Sequence, residues 1–360
     1  MNKLELPIIT ARGSARELGH AQGEALRESI AAFVDQRLSA LRAYLAERNE
    51  SARYSEFVAV GERCLAIART FDPLGTEEHE AIAEAAHVAP ELLYAATNMT
   101  DVRDVLVLPS TPDREGCTSL LVPAERARGK QLLAGQTWDL NPTDLDFVVA
   151  VHRLPNEGPE TWSVTCVGAL SLVGMNELGV AVGTTNIKTR ASRPGVGYLS
   201  ILHKAVTRRS YEDAVAVVRS APRAAAHTYW VASAAQALEL ECDPELVVER
   251  PLLADAVVQT NHCQAAPLAA REGEAPSASS QRRLARAGVL LARSDQDFSS
   301  VEALFADRAD GVDSINRYSE DAQGTTTNAC FVCCPATREI RACRGPADRG
   351  EWRSLAFERG

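Results

Sequence analysis

No stretch of this 360-residue chain stays apolar for the roughly 20 residues a membrane span needs, and the opening MNKLELPIITARGSARELGH has no apolar core behind a basic head. From these absences we expect a cytoplasmic protein with no membrane partner. Positive charge is not in excess: 38 Lys and Arg face 48 Asp and Glu, a formal charge of −10. No nucleic-acid partner is expected, because phosphate binding needs a basic surface. The nine cysteines, scattered from Cys64 to Cys343, make no disulfide framework in a chain this long. Cys330, Cys333 and Cys334 in CFVCC lack a second Cys or His pair at zinc-site spacing. No phosphate-cradling glycine loop or dinucleotide fingerprint is present, so neither a metal nor a cofactor is expected. Internal repeats are missing too.

What is present is enough apolar residue, 46%, for one large core, and we expect a single domain over residues 1–360. From Ser14 to about Glu47 the apolar positions recur every three or four residues, and residues 55–70, 76–87 and 90–104 behave alike, so the first hundred residues read as helical. After Cys117 the period changes. Short Val-, Thr- and Trp-rich runs at 118–122, 131–138, 146–153, 161–166, 168–173 and 178–184 read as antiparallel strands between turns. Helices at 197–207 and 211–219, strands at 228–233, 237–242, 246–250 and 255–260, a helical block at 280–308 and strands near 326–334 and 338–343 complete the order. Arg271–Arg283, REGEAPSASSQRR, reads as a mobile surface loop entering a helix. Such an order suits an α+β layered domain in which two sheets face each other between helical layers.

The change of period falls on a Gly-Cys pair in DREGCTSL, residues 113–120. Taken alone, Cys117 is a small hydrophobe opening a strand, since free cysteines are usually buried and inert. Its company changes that reading. EGCTSLLV, AGQTWDLNP, GMNELGVAVGTTNI and VVQTNHC follow one another in an order that resembles the acyl-coenzyme A:6-aminopenicillanic acid acyltransferase family, of the N-terminal nucleophile hydrolases. The early ARGSARELGHAQGEAL is similar to that family's opening helix, so the resemblance runs over most of the chain.

The resemblance implies a four-layer α/β/β/α sandwich and a precursor that cuts its own Gly116-Cys117 bond, giving a helical chain 1–116 and a sheet-bearing chain 117–360 that stay together as an α/β heterodimer. Cys117 then carries a free α-amine, whose ordinary pKa of about 7.7–8.0 suits it to take the proton of the thiol beside it. Gly116, lacking Cβ, can adopt backbone geometries that favour the cut. Asn261 matches the oxyanion amide, Asp139 the aspartate that orients the nucleophile, and Asn176 a residue supporting the oxyanion site. Each has a plainer reading: Asn261 ends a strand, Asp139 precedes the Asn141-Pro142 turn, and Asn176 opens a hairpin turn. Trp138 is a candidate for the acyl pocket or the core. The implied substrate is a small-molecule acyl amide or acyl thioester, with water or an amine as acceptor. An uncleaved, silent binding protein is the alternative.

Some residues depart from the family's pattern. Thr326 and Thr327 stand where a serine tied to processing is expected, Thr228 replaces another polar residue, and Arg114 and Glu115 place charge directly ahead of the bond. Arg190 and Arg193 are open to two readings, a carboxylate site or solvated surface. His262, His20, His79, His87, His152, His203 and His227 sit in no motif that would pair one of them with Cys117 as in a papain-like enzyme.

Overall fold

A computed structural model describes residues 3–106, 116–322 and 324–358. Its first half begins with β1 (Ile8–Gly13) and six helices: α1 (Ala15–Ala25), α2 (Arg27–Glu47), α3 (Arg53–Phe71), α4 (Pro73–Ala86), α5 (Pro90–Thr97) and α6 (Met99–Val105). There follow β2 (Gly116–Val122), β3 (Leu133–Leu140), β4 (Val148–Pro155), β5 (Thr161–Cys166), β6 (Val173–Asn176), β7 (Ala181–Asn186), α7 (Tyr198–Val206) and α8 (Tyr211–Ser220). The rest is β8 (His227–Ala232), β9 (Ala237–Cys242), β10 (Val247–Pro251), β11 (Val257–Gln259), α9 (Ala266–Ala269), α10 (Ala278–Leu291), α11 (Phe298–Phe305), β12 (Thr326–Cys334), β13 (Glu339–Arg344) and β14 (Arg353–Ser354).

These elements make an α+β sandwich of four layers. Eight strands run in the order β1-β4-β5-β6-β7-β8-β9-β10, and six in the order β11-β2-β3-β12-β13-β14. The first sheet carries α1 on β1 and β4, α7 on β6 and β7, and α8 on β8 and β9. The second carries α10 on β2 and β11, and α11 on β3 and β12. Between the sheets β7 faces β2 and β3. Strand alternation divides β12 accordingly: Phe331 and Cys333 enter the larger core, whereas Cys330, Val332 and Cys334 enter the core beneath α10 and α11.

Four expectations need correction. The first hundred residues are not wholly helical, for β1 pairs with β4, in parallel where antiparallel pairing was expected. Only Ala11 of its six residues is buried, so no alternation announces this edge strand, which takes its ladder from β4. The long helical blocks break at Leu26, at Asn98 and between Leu291 and Phe298. Residues 168–172 form no strand, with β6 starting only at Val173. Finally, the loop in Arg271–Arg283 enters its helix at Ala278, ahead of the expected 280: the Ser277 hydroxyl accepts from the Ser280 N–H at 3.1 Å and opens α10, whose Ser279, Ser280 and Arg283 are buried. Arg114 and Glu115 lie outside the described residues.

Candidate active site

Strand β2 begins on Gly116 and runs between β11 and β3, but β11 reaches only to Ser119, so the Gly-Cys pair is laddered to β3 alone. In the β2-β3 ladder Gly116 lies opposite Asp139 and Cys117 opposite Trp138. On the far side of β3, β12 places Thr327 opposite Asp139, next to an irregularity in the register at Asn328. Bulges of this kind re-aim neighbouring side chains. Here the Asn328 amide ties down the end of β3, accepting from Leu140 N–H at 2.6 Å and donating to the Asn141 carbonyl at 3.2 Å.

Gly116 is glycine for want of space. Its backbone is extended strand, without positive φ, a conformation that any residue adopts. A Cβ there would fall 2.8 Å from Asp139 Oδ2 and 3.0 Å from the Arg317 guanidinium. Neither neighbour has room to swing away. Asp139 is wholly buried, and Arg317, 1% exposed, donates to Thr325 Oγ1 at 2.9 Å and to Ser279 Oγ.

Cys117 is 8% exposed and its main chain is gripped at both ends. The N–H donates to Asn261 Oδ1 at 2.8 Å, and the carbonyl accepts from Arg283 of α10. Arg283 also donates to Asn261 Oδ1 at 2.8 Å and to Thr118 Oγ1 at 3.1 Å. With two N–H donors converging on one atom of the Asn261 amide, that atom must be the oxygen, which leaves the NH₂ directed to the Asn186 carbonyl at 2.9 Å. Thus Asn261 reads the nitrogen of Cys117 with its oxygen, and keeps an amide donor beside β7.

Burial, and then the Asp139 carboxylate, push the Cys117 thiol up to about 12, while hydrogen bonds from the backbone of Asp139 and Asn186 and the charge of Arg283 act the other way. Burial also raises Asp139, to about 6, against the pull of Arg317, Arg283, Thr327 and Thr137. The Arg317 Nε stands 3.7 Å from Asp139 Oδ2, a loose ion pair in a dry setting. In the uncut chain, therefore, the thiol is a protonated and poor nucleophile at neutral pH.

The sulfur opens on a cavity of about 30 Å³, lined also by Trp138, Asn186, Tyr198 and His227. That is room for a water and not for an acyl group. His227 is the histidine that reaches this cavity among the described residues, its Nε2 2.6 Å from Asp101 Oδ1 and its ring stacked on Tyr198. His262 instead turns Nδ1 to Ser280 Oγ at 2.8 Å.

The fold thus brings Gly116, Cys117, Asp139 and Asn261 together, with Trp138 on the cavity wall. Asn176 is not among them. In the β6-β7 turn its Oδ1 accepts from Leu178 and Val180 N–H, both at 3.0 Å, and its Nδ2 donates to the Val206 and Arg208 carbonyls, both at 2.8 Å. All four bonds go to backbone, and none remains for an oxyanion. Arg193 pairs with exposed Glu245 and takes the surface reading. Thr228 is buried in β8, where its carbonyl accepts the Thr184 hydroxyl at 2.9 Å. Asn186, Arg283 and Arg317 were missed. Asn186 sits within GMNELGVAVGTTNI without being singled out there, whereas nothing in the local sequence marks the two arginines: RRLARAG reads as a surface helix until α10 is laid against β2.

The family described as acyl-coenzyme A:6-aminopenicillanic acid acyl-transferase matches residues 126–348, which includes Asp139 and Asn261 and stops short of Cys117. Among solved structures, the chain is similar to a mutant of conjugated bile acid hydrolase from Clostridium perfringens, at 9% identity and a TM-score of 0.44, over 67% of this chain and 97% of that one. It is also similar to penicillin V acylase from Agrobacterium tumefaciens, at 11% identity and a TM-score of 0.44, over 66% and 86%. No curated protein matches the chain. No helix among the described residues is long and apolar enough to cross a membrane.

Proposed function

Because the chain belongs to the acyl-coenzyme A:6-aminopenicillanic acid acyl-transferase family, an amidohydrolase or acyltransferase in class, we propose that it cuts its own Gly116-Cys117 bond and then uses Cys117 as an N-terminal nucleophile on a small-molecule acyl amide or thioester. The observation that carries this is the pairing of Cys117 N with Asn261 Oδ1 at 2.8 Å, beside Asp139 and over a cavity. Strand β11 ends opposite Ser119, so the Cys117 N–H takes a side-chain acceptor on that side, one that would also hold a freed α-amine beside its own thiol.

In the first step the thiol attacks the Gly116 carbonyl, the C–S bond forms as the C–N bond breaks, and the thiol proton passes to the departing Cys117 nitrogen. Water then hydrolyses the Gly116 thioester. The new amine keeps its acceptor in Asn261 Oδ1 and takes over as base, its reference pKa of about 7.7–8.0 lying close to neutral. In turnover the substrate carbonyl is attacked, and the Asn261 Nδ2–H stabilises the developing oxyanion, a contribution typically of about 3 kcal/mol. The amine returns its proton to the leaving group. Hydrolysis is the default fate of the Cys117 thioester, since transfer needs a pocket that admits an amine and excludes water.

Residues 1–116 stay attached after the cut, because β1 remains in the eight-stranded sheet and α1 remains packed on β1 and β4. The alternative is an uncleaved chain that only binds its small molecule. Incubation with a panel of N-acyl amines, followed by mass spectrometry of the denatured 117–360 fragment, decides between them. An acyl adduct on Cys117, absent from Cys117→Ala, is expected. Amide turnover by Cys117→Ala would place the nucleophile elsewhere.

A further inference from the structure

The uncut chain already holds an acyl group in the site, the one ending in the Gly116 carbonyl. Whatever surrounds the α-carbon of Gly116 surrounds the α-carbon of the first acyl group that Cys117 takes. On the side where an L residue carries its Cβ, that space is closed by Asp139 Oδ2 at 2.8 Å and by the Arg317 Cζ and Nη1 at 3.0 Å. A contact under 3.0 Å is relieved cheaply when a flexible side chain ends there in solvent. These two are buried and face each other at 3.7 Å, and Arg317 is anchored by donating to Thr325 and Ser279. Moving either one separates a buried ion pair, and moving Arg317 also breaks its hydrogen bonds.

We infer that the Asp139-Arg317 pair is a specificity wall, and that the site accepts in trans, as in cis, acyl groups without an L-configured substituent on the α-carbon. Glycyl-type and other α-methylene acyl groups enter, and L-alanyl and larger L-aminoacyl groups do not. The inference rests on Cys117 being the nucleophile and adds that self-processing and turnover share one acyl pocket. It also gives Asp139 a duty apart from orienting the amine, and explains why a wholly buried arginine stands beside a carboxylate that burial makes reluctant to ionise.

The test uses the processed wild-type protein and activated esters, so that leaving-group recognition plays no part. N-acetylglycine and N-acetyl-L-alanine 4-nitrophenyl esters are supplied in turn. The Cys117 sulfur forms a C–S bond, the C–O bond breaks, 4-nitrophenolate departs with the electron pair, and the thiol proton goes to the α-amine. Acylation is followed by nitrophenolate release and by the mass of the 117–360 fragment, with each rate divided by that of N-acetylcysteine in the same buffer. After this correction the L-alanyl ester is expected to be at least about tenfold slower than the glycyl ester, the size of a modest overpacking penalty. Gly116→Ala in the full chain is expected to slow the cut by a similar factor. Equal corrected rates for the two esters overturn the shared wall, even if Gly116→Ala processes slowly. If neither ester labels Cys117 while both react with N-acetylcysteine, the nucleophile assignment fails and takes this inference with it.

Discussion

Cys117 and Cys333 lie in the same six-stranded sheet, both buried, both free thiols, and both with ionisation pushed up by burial. Cys333 packs among apolar side chains of the larger core, and burial makes it inert. Around Cys117 the same burial is crossed by Arg283, Asp139, Asn261 and a cavity. The two thiols therefore differ in what converges on them, while depth is common to both. Two asparagines repeat the contrast. Asn176 spends every hydrogen bond on backbone and pins a turn, whereas Asn261 spends its oxygen on Cys117 and Arg283 and keeps a donor beside the cleft.

Each contrast can be broken by substitution. Cys117→Ala removes both self-cleavage and acyl turnover completely, as seen by denaturing electrophoresis and amide hydrolysis. Asn261→Ala in processed protein lowers kcat by about 10²–10³, the usual cost of one oxyanion donor. Asn176→Ala acts on stability instead: losing partners for buried backbone groups costs about 2–3 kcal/mol in denaturant unfolding, with kcat of the folded fraction unchanged.

Asp139 gives a smaller, pH-dependent effect. Its pKa rises from 3.8 in an unfolded chain to about 6 in the fold, so its favourable share of stability is fully present below pH 3.8 and is lost as pH rises through 6. In the uncut chain held by Cys117→Ala, adding Asp139→Asn removes a decline on the order of 2 kcal/mol between pH 4 and 7, measured as the difference between the two unfolding curves. Smallest is Cys333→Ala, with normal cleavage and a stability loss of about 1 kcal/mol.

The layers were legible in the sequence because the hydrophobic period changes from helical to alternating at Cys117, and because glycine, proline and asparagine mark the turns. The short ordered motifs singled out Cys117, Asp139 and Asn261, which the fold sets side by side. What stayed hidden has long-range causes. Strand β1 buries only Ala11 and is a strand by virtue of β4, which lies far along the chain and sets its Ile8 opposite Ala150. Arg283 and Arg317 look like solvated charges until the fold sets α10 and the approach to β12 against β2. Asn176 sits in a motif compatible with both of its readings, and only its four backbone partners decide.

In the proposed function Cys117 becomes an amino terminus. Amino-terminal sequencing and intact mass of denatured, catalytically active protein test it directly. Two chains are expected, 1–116 and 117–360, with the larger beginning Cys-Thr-Ser. A fully active preparation made only of the unbroken 360-residue chain would contradict it.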